Sequence, residues 1–139
     1  MDTSVLVAAS ASGAPFHREA IQALDKLHGS KVETWISRQV LRELLAPLSR
    51  PQAWGGDVDP VLLAGHAERL LKLYKVAEET AVTTARLLDF VRDSQARGKQ
   101  VHDASIAALM VSHGIRRLLT LNTAHFERFK PDLILELLK

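Results

Sequence analysis

The chain lacks cysteine altogether. This absence excludes a disulfide scaffold, a thiolate metal site and a cysteine nucleophile, and it suits the reducing cytoplasm. No apolar run approaches the roughly 18–20 residues that are needed to span a bilayer, so no membrane segment is expected. The N-terminal sequence Met1–Ser10 has no basic residue ahead of its apolar stretch. A secretory signal peptide is therefore not expected, and the predicted location is cytoplasmic.

Several nucleotide-binding and catalytic motifs are also missing from the sequence. No GxGxxG or Walker loop, GxSxG elbow or HExxH zinc motif occurs, so dinucleotide-binding, P-loop, serine-hydrolase and zinc-protease functions lose their main support. The net charge of +2 comes from 18 basic and 16 acidic residues, an excess too small to establish a polyanionic partner. If the acidic residues cluster, the rest of the surface is more basic than the net charge suggests. The residues that could form this basic surface are Arg38, Arg42, Arg50, Arg69, Lys72, Lys75, Arg116 and Arg117.

The length of 139 residues predicts a single domain, residues 1–139, with a sizeable core. The predicted helices are Ser4–Ala11, Phe16–His28, Ser37 to about Pro47, Asp59 to about Leu73, Thr80–Ala96 and Ala104–His113. The predicted strands are Val32–Ile36, Tyr74–Ala77, Gln100–His102 and Arg117–Leu121, with a loop at Pro51–Pro60, a loop or single turn at Asn122–Phe129 and an edge strand or helix at Leu133–Leu138. This alternation predicts an α/β fold around a parallel sheet.

Four polar residues punctuate this hydrophobic pattern: Asp2, Glu43, Asp103 and Asn122. Each lies where a strand is expected to give way to a helix or loop, or on a helix face poor in cationic partners. In a parallel α/β sheet such positions converge at the C-terminal edge, where these folds bind their ligands. Three carboxylates and an amide suit a hard, oxygen-preferring cation such as Mg²⁺ or Mn²⁺.

Each of the four residues also has a simpler explanation. Glu43 has no cation three or four residues away and could be an exposed helix glutamate. Asp103 could be a helix N-cap, and Asn122 could belong to an ordinary turn. Asp2 could be a terminal residue without a role. The hypothesis of a shared site therefore depends on their common placement.

The histidines and aromatic residues give weaker signals. The histidines show no metal-binding spacing, although His102 and His125 flank the proposed site. These two side chains could contact a phosphate or influence the ionisation of the carboxylates. A role as ordinary helix-surface residues is the simpler explanation. Trp35, Trp54 and Phe126 are predicted to be packing residues rather than base-stacking platforms.

Four segments carry a resemblance to a known family. They are DTSVLV at Asp2–Val7, VLREL at Val40–Leu44, HDASIAA at His102–Ala108 and LTLNTAHF at Leu119–Phe126. In this order they resemble the PIN-domain ribonucleases, especially the VapC-type toxins of bacterial and archaeal toxin–antitoxin pairs. The resemblance covers nearly the whole chain, and its first and third segments are the more specific.

The resemblance implies a fold, an activity and partners. The implied fold is a flavodoxin-like three-layer sandwich with a central parallel sheet. The implied activity is that of an endoribonuclease that depends on Mg²⁺ or Mn²⁺ and hydrolyses RNA phosphodiester bonds. The implied partners are RNA as substrate, a small antitoxin protein, and a second copy of the chain in a homodimer.

By position, the resemblance makes Asp2, Glu43 and Asp103 the acidic metal-site residues, with Ser4 and Thr120 as polar supports. Two departures from the family pattern stand out. Asn122 falls where many relatives carry a fourth acid, so the site is expected to have three carboxylates and one neutral corner. Only Met1 precedes the first aspartate, where relatives have a full strand, so the first strand is either truncated or begins upstream.

Two alternative functions remain open at this point. A PIN fold with a weakened site would hold RNA or a protein without cutting, which Asn122 and the short N-terminus favour slightly. A phosphate-ester hydrolase or phosphoacceptor would use Asp2 as nucleophile, but Ser4 stands where its second aspartate is expected. The RNA target cannot be inferred, because the loops expected to discriminate, Pro51–Asp59 and Thr123–Lys130, carry no recognisable code.

Overall fold

The computed structural model describes residues 1–51 and 57–137. Trp54, Leu138 and part of the predicted Pro51–Pro60 loop lie outside these ranges. The helices are α1 Thr3–Ser10, α2 His17–Gly29, α3 Arg38–Leu48, α4 Pro60–Leu73, α5 Ala81–Ser94, α6 Gln100–Ser112 and α7 Thr123–Phe126. The strands are β1 Trp35–Ser37, β2 Lys75–Ala77, β3 Arg117–Thr120 and β4 Ile134–Leu137. No helix in the described ranges is long and apolar enough to cross a membrane.

Helices α3, α4 and α5 are capped by the residues at which the sequence predicts each of them to start. The Ser37 hydroxyl accepts a 3.0 Å hydrogen bond from the Val40 amide at the start of α3. The Asp59 carboxylate accepts one of 2.8 Å from the Val61 amide at the start of α4. Thr80 opens α5 through a capping box. These side chains satisfy amides that have no partner in the first helical turn, so local chemistry sets the helix starts.

The predicted strand Gln100–His102 is wrong, because these residues form the first turn of α6. Gly98, at φ +55°, turns the chain, and its carbonyl accepts a 3.1 Å hydrogen bond from the Val101 amide. Val101 is the only β-branched residue of the segment, so little favours an extended conformation. As a result, Asp103 lies inside the first turn of α6 instead of capping it.

The four strands form two parallel pairs. β1 pairs with β2 with Trp35 opposite Lys75, and β3 pairs with β4 with Arg117 opposite Ile134. The predicted α/β class with parallel strands is therefore confirmed. The division of the sheet into two pairs was not anticipated.

Met1 and Asp2 connect the two pairs. The Met1 amino group donates a 3.0 Å hydrogen bond to the carbonyl of Trp35 in β1. The next amide, that of Asp2, donates one of 3.0 Å to the carbonyl of Leu119 in β3. Successive residues that bond to opposite neighbours are typical of a central strand. These two residues thus occupy the middle position between β1 and β3.

A groove of about 430 Å³ lies between β1 and β3 beside Met1. Trp35, Arg117 and Leu119 are among its lining residues. Because backbone groups alternate sides along a strand, and Ile134 bonds to the residue before Arg117, the backbone groups of Arg117 and Leu119 face away from β4. The groove is therefore bordered by strand edges. Burial lowers the pKa of the Met1 amino group from 8.0 to about 6.

Helix α1 is buried on more than one side. Val5 and Ala8 pack with Ala20 and Leu24 of α2 in a small apolar cluster. Leu6, the residue between them, belongs to the larger core that the remaining helices and strands share. Close packing on both sides holds the start of α1 in place, and Asp2 sits at that start.

Candidate functional site

Asp2 occupies the N-cap position of α1 and is 7% exposed. Its Oδ2 atom accepts hydrogen bonds of 2.7 Å from Ser4 Oγ and 2.7 Å from Thr120 Oγ1. Ser4 Oγ in turn accepts a 3.1 Å bond from the Leu121 amide. Two neutral donors thus orient the carboxylate without cancelling its charge. The two residues predicted to support Asp2 both contact it.

Glu43 lies on α3, and each of its carboxylate oxygens accepts a hydrogen bond. Thr3 Oγ1 donates to Oε2 at 2.8 Å, and Gln39 Nε2 donates to Oε1 at 2.7 Å. Sequence reasoning did not identify these two donors. The signal for Gln39 was its position four residues before Glu43, since side chains at that spacing meet on a helix. Thr3 gave no signal, because its contact depends on how α1 packs against α3.

Asp103 lies within electrostatic reach of the other two carboxylates. Burial raises the pKa of its carboxyl group above the ordinary value, the nearby His125 opposes this effect, and the negative charges of Asp2 and Glu43 raise the pKa further. His125 Nδ1 lies 3.6 Å from Asp103 Oδ2. The three predicted acidic residues, distant in sequence, are therefore near enough for their charges to interact.

Asn122 joins this group through its backbone. Its amide donates a 3.0 Å hydrogen bond to Thr120 Oγ1, and its carbonyl accepts one of 3.1 Å from the His125 amide. The residue is exposed. Within the described residues, its side chain makes no hydrogen bond to Asp2 or Asp103. Asn122 therefore lies beside the carboxylates, but its side chain is not hydrogen-bonded to them.

The two histidines predicted to flank the site do so. His102 Nδ1 lies 3.8 Å from Glu43 Oε1, in addition to the contact between His125 and Asp103. Both imidazoles are largely exposed, at 68% and 60% of the side-chain surface. They form a rim that can carry positive charge beside the carboxylates.

The chemistry of the donor set fits a hard divalent cation, although its spacing is wide. In the described part of the chain, no three Asp, Glu or His side chains are close enough to hold one ion. Oxygen donors with net negative charge are nevertheless the ligands that Mg²⁺ and Mn²⁺ prefer. Burial raises the pKa of Asp103, and the nearby negative charges of Asp2 and Glu43 add to this effect. Binding one cation between these carboxylates would require them to draw closer.

Comparisons with known proteins show the family of the chain. The PIN domain family model matches residues 1–130. The chain therefore belongs to the PIN domain family, and the predicted resemblance is confirmed. The crystal structure of Mycobacterium tuberculosis VapC20, described as a sarcin–ricin loop cleaving toxin, is similar to this structure with a TM-score of 0.62 and 26% sequence identity. The match covers 84% of this chain and 83% of VapC20. No curated protein sequence matches the chain.

Proposed function

We propose that this protein is a VapC-type toxin, an endoribonuclease that hydrolyses phosphodiester bonds of RNA. The observation that carries the proposal is the convergence of three acidic residues: Thr3, next to Asp2, donates a hydrogen bond to Glu43, and Gln39 joins Glu43 to the carbonyl of His102, next to Asp103. Membership of the PIN domain family and the similarity to a toxin that cleaves the sarcin–ricin loop support the same activity. An RNA phosphodiester is thus the proposed substrate class.

The proposed cofactor is Mg²⁺ or Mn²⁺, as PIN domains are generally dependent on divalent metals. Asp2 and Asp103 would hold the ion. Oδ1 of Asp2 accepts no hydrogen bond from the described residues. Because every fully buried side-chain oxygen among these residues has a partner, Oδ1 is not fully buried and is open to solvent or an ion. A bound divalent cation supplies positive charge that offsets the negative charge developing on the phosphate during hydrolysis.

The remaining residues of the proposed site orient groups around the scissile phosphate. Glu43, held at both oxygens, would accept a hydrogen bond from the attacking water and orient it. The side-chain amide of Asn122 would orient a second water without adding charge. Ser4 and Thr120 would keep the Asp2 carboxylate in one orientation. Preorganisation of this kind reduces the movement needed in the transition state.

The proposed setting is that of a toxin–antitoxin pair. An antitoxin protein would bind near the site, and the chain would act in the cytoplasm as a single domain spanning residues 1–139 and as a homodimer. The similarity to VapC20 supports the antitoxin. The homodimer, the location and the domain extent come from the family resemblance and the composition.

A second candidate function is RNA or protein binding without cleavage. The wide spacing of the acidic side chains in the described residues favours it. Asn122 favours it too, because an amide contributes no negative charge to attract a cation.

A cleavage assay separates the two candidates. A sarcin–ricin loop hairpin, a tRNA and an mRNA are incubated with Mg²⁺, Mn²⁺ or chelator. Cleavage of any of them that requires metal and disappears in Asp103→Asn supports the nuclease, provided that the surface variant Asp89→Asn cleaves normally. Binding of these RNAs without cleavage in either metal supports the binding module. Full activity in Asp103→Asn would refute the assigned site.

A further inference from the structure

Gln39 is a buried polar residue near the start of α3, with 8% of its surface exposed. Its Nε2 atom donates a 2.7 Å hydrogen bond to Glu43 Oε1 and a second, of 3.2 Å, to the carbonyl of His102. His102 immediately precedes Asp103 in α6. One amide group therefore ties the Glu43 carboxylate to the helical turn that carries Asp103.

A hydrogen bond from a neutral amide suits a carboxylate that must remain charged. A glutamate has three side-chain torsions, and Glu43 is 34% exposed at its side chain, so it has room to turn towards solvent. Repulsion from Asp103 favours such a turn. An arginine or lysine in place of Gln39 would hold Glu43 but would also neutralise it and compete with a cation. The neutral amide fixes the orientation and leaves the negative charge in place.

We propose that Gln39 is a positioning residue that sets the orientation of Glu43 relative to Asp103. The proposal deepens the proposed function and rests on it, since it assumes that these carboxylates serve the binding of a divalent cation. Thr3 holds the other oxygen of Glu43 but bonds to neither His102 nor Asp103 in the described structure. Gln39 is therefore the side chain that relates the two acidic residues to each other.

Gln39→Met tests this role, because methionine keeps the length of the side chain and removes the donor. Mn²⁺ binding is followed by electron paramagnetic resonance, well below the melting temperature. We expect affinity to fall about tenfold or more, because the Glu43 carboxylate beside the ion loses its orientation, and losing a residue that orients a group of a metal site commonly costs this much. In RNA cleavage, kcat should fall while KM for RNA stays within about twofold, since Gln39 is buried away from the RNA. Mn²⁺ affinity equal to that of the natural chain overturns the proposal.

Thr83→Val is the matched control. Thr83 is also buried, and its hydroxyl contacts Ser112 Oγ at 2.9 Å in the α5–α6 interface. Its replacement removes this buried hydrogen bond, and with it the acceptor of the Thr80 amide in the capping box of α5, without touching a carboxylate. It should lower the melting temperature and leave Mn²⁺ affinity unchanged. An equal loss of affinity in this control would mean that general destabilisation explains the Gln39 result, and would overturn the proposal.

A double-mutant cycle on the metal-free protein separates this proposal from the proposed function. Gln39→Met, Glu43→Met and the double variant are compared by thermal unfolding in chelator. If Gln39 holds Glu43, the effect of Gln39→Met on the melting temperature should be smaller when Glu43 is already replaced than when it is present. Additive effects of the two substitutions overturn the positioning role. Failure of the natural chain to bind Mn²⁺ or cleave RNA would instead refute the proposed function, while the cycle still decides whether Gln39 orients Glu43.

Discussion

Thr120 and Asp2 are 118 positions apart in sequence, yet the Thr120 hydroxyl donates a 2.7 Å hydrogen bond to the Asp2 carboxylate. The same hydroxyl accepts a 3.0 Å hydrogen bond from the backbone amide of Asn122. A single buried group therefore aligns the end of β3, the start of α1 and the turn into α7. Strand pairing alone would not fix these three segments relative to one another.

Thr120→Val should destabilise the protein by about 1–3 kcal/mol, since it removes the hydrogen-bond acceptor of the Asn122 amide and one of the two donors to the Asp2 carboxylate while keeping the side-chain shape. Urea denaturation measures this change in the free energy of unfolding. Thr84→Val is the control, because the exposed Thr84 hydroxyl makes only a 3.4 Å contact. Equal stability of the two variants would contradict the role of Thr120.

Asp103→Asn should leave the metal-free protein as stable as the natural chain or more so. The raised pKa of Asp103 means that ionisation opposes folding: its contribution is present at low pH and is lost as pH rises from the ordinary carboxyl pKa through the raised one. An amide avoids this loss. Thermal unfolding at neutral pH in chelator measures it, with Asp93→Asn at an exposed position of α5 as control. A lower melting temperature for Asp103→Asn than for the control would count against the repulsion.

Asn122→Asp should add a fourth acid to the site. We expect it to strengthen binding of a second divalent ion, because a site with three carboxylates binds that ion less tightly than a site with four. Calorimetric titration with Mn²⁺ measures both events. Gln95→Glu adds the same charge at an exposed position and should leave the titration unchanged. Two equally tight Mn²⁺ sites in the natural chain would disprove the expectation that Asn122, in place of an acid, weakens the second site.

Stability of the metal-free protein should rise between about pH 6 and pH 8 because of the Met1 amino group. Its pKa falls from 8.0 to about 6 on folding, so in this window the unfolded chain binds a proton that the folded chain releases. The gain should be on the order of 2 kcal/mol. Urea denaturation at both pH values measures it. Acetylation of the amino group removes this titration but keeps every histidine, so an unchanged pH dependence after acetylation would refute the assignment.

The helices were predictable where their signals are local. Ser37, Asp59 and Thr80 each cap the helix expected from the sequence, because capping involves residues only two or three positions apart. The segment Gln100–His102 was assigned to the wrong class, since short stretches with one apolar residue carry no clear periodicity. The pairing of strands into two separate sheets depends on distant residues and was not visible.

The proximity of the three carboxylates was predictable from the sequence, but the groups that hold them were not. Motif order singled out Asp2, Glu43 and Asp103, and the structure places them within electrostatic reach of one another. The contacts of Thr3 and Gln39 with Glu43 arise only when α1 and α6 pack against α3. Contacts of this kind depend on tertiary packing, which a single sequence does not encode in any short pattern.

The groove beside Met1 has a practical consequence for the handling of this protein. A purification tag fused ahead of Met1 would end between the edges of β1 and β3, next to the residue that leads directly into Asp2. Its last residue would convert the buried amino group into an amide, and its last few residues would enter the groove. The composition of that tag would then influence how firmly the Asp2 carboxylate is held. Catalytic assays should therefore compare tagged protein with protein from which the tag has been removed.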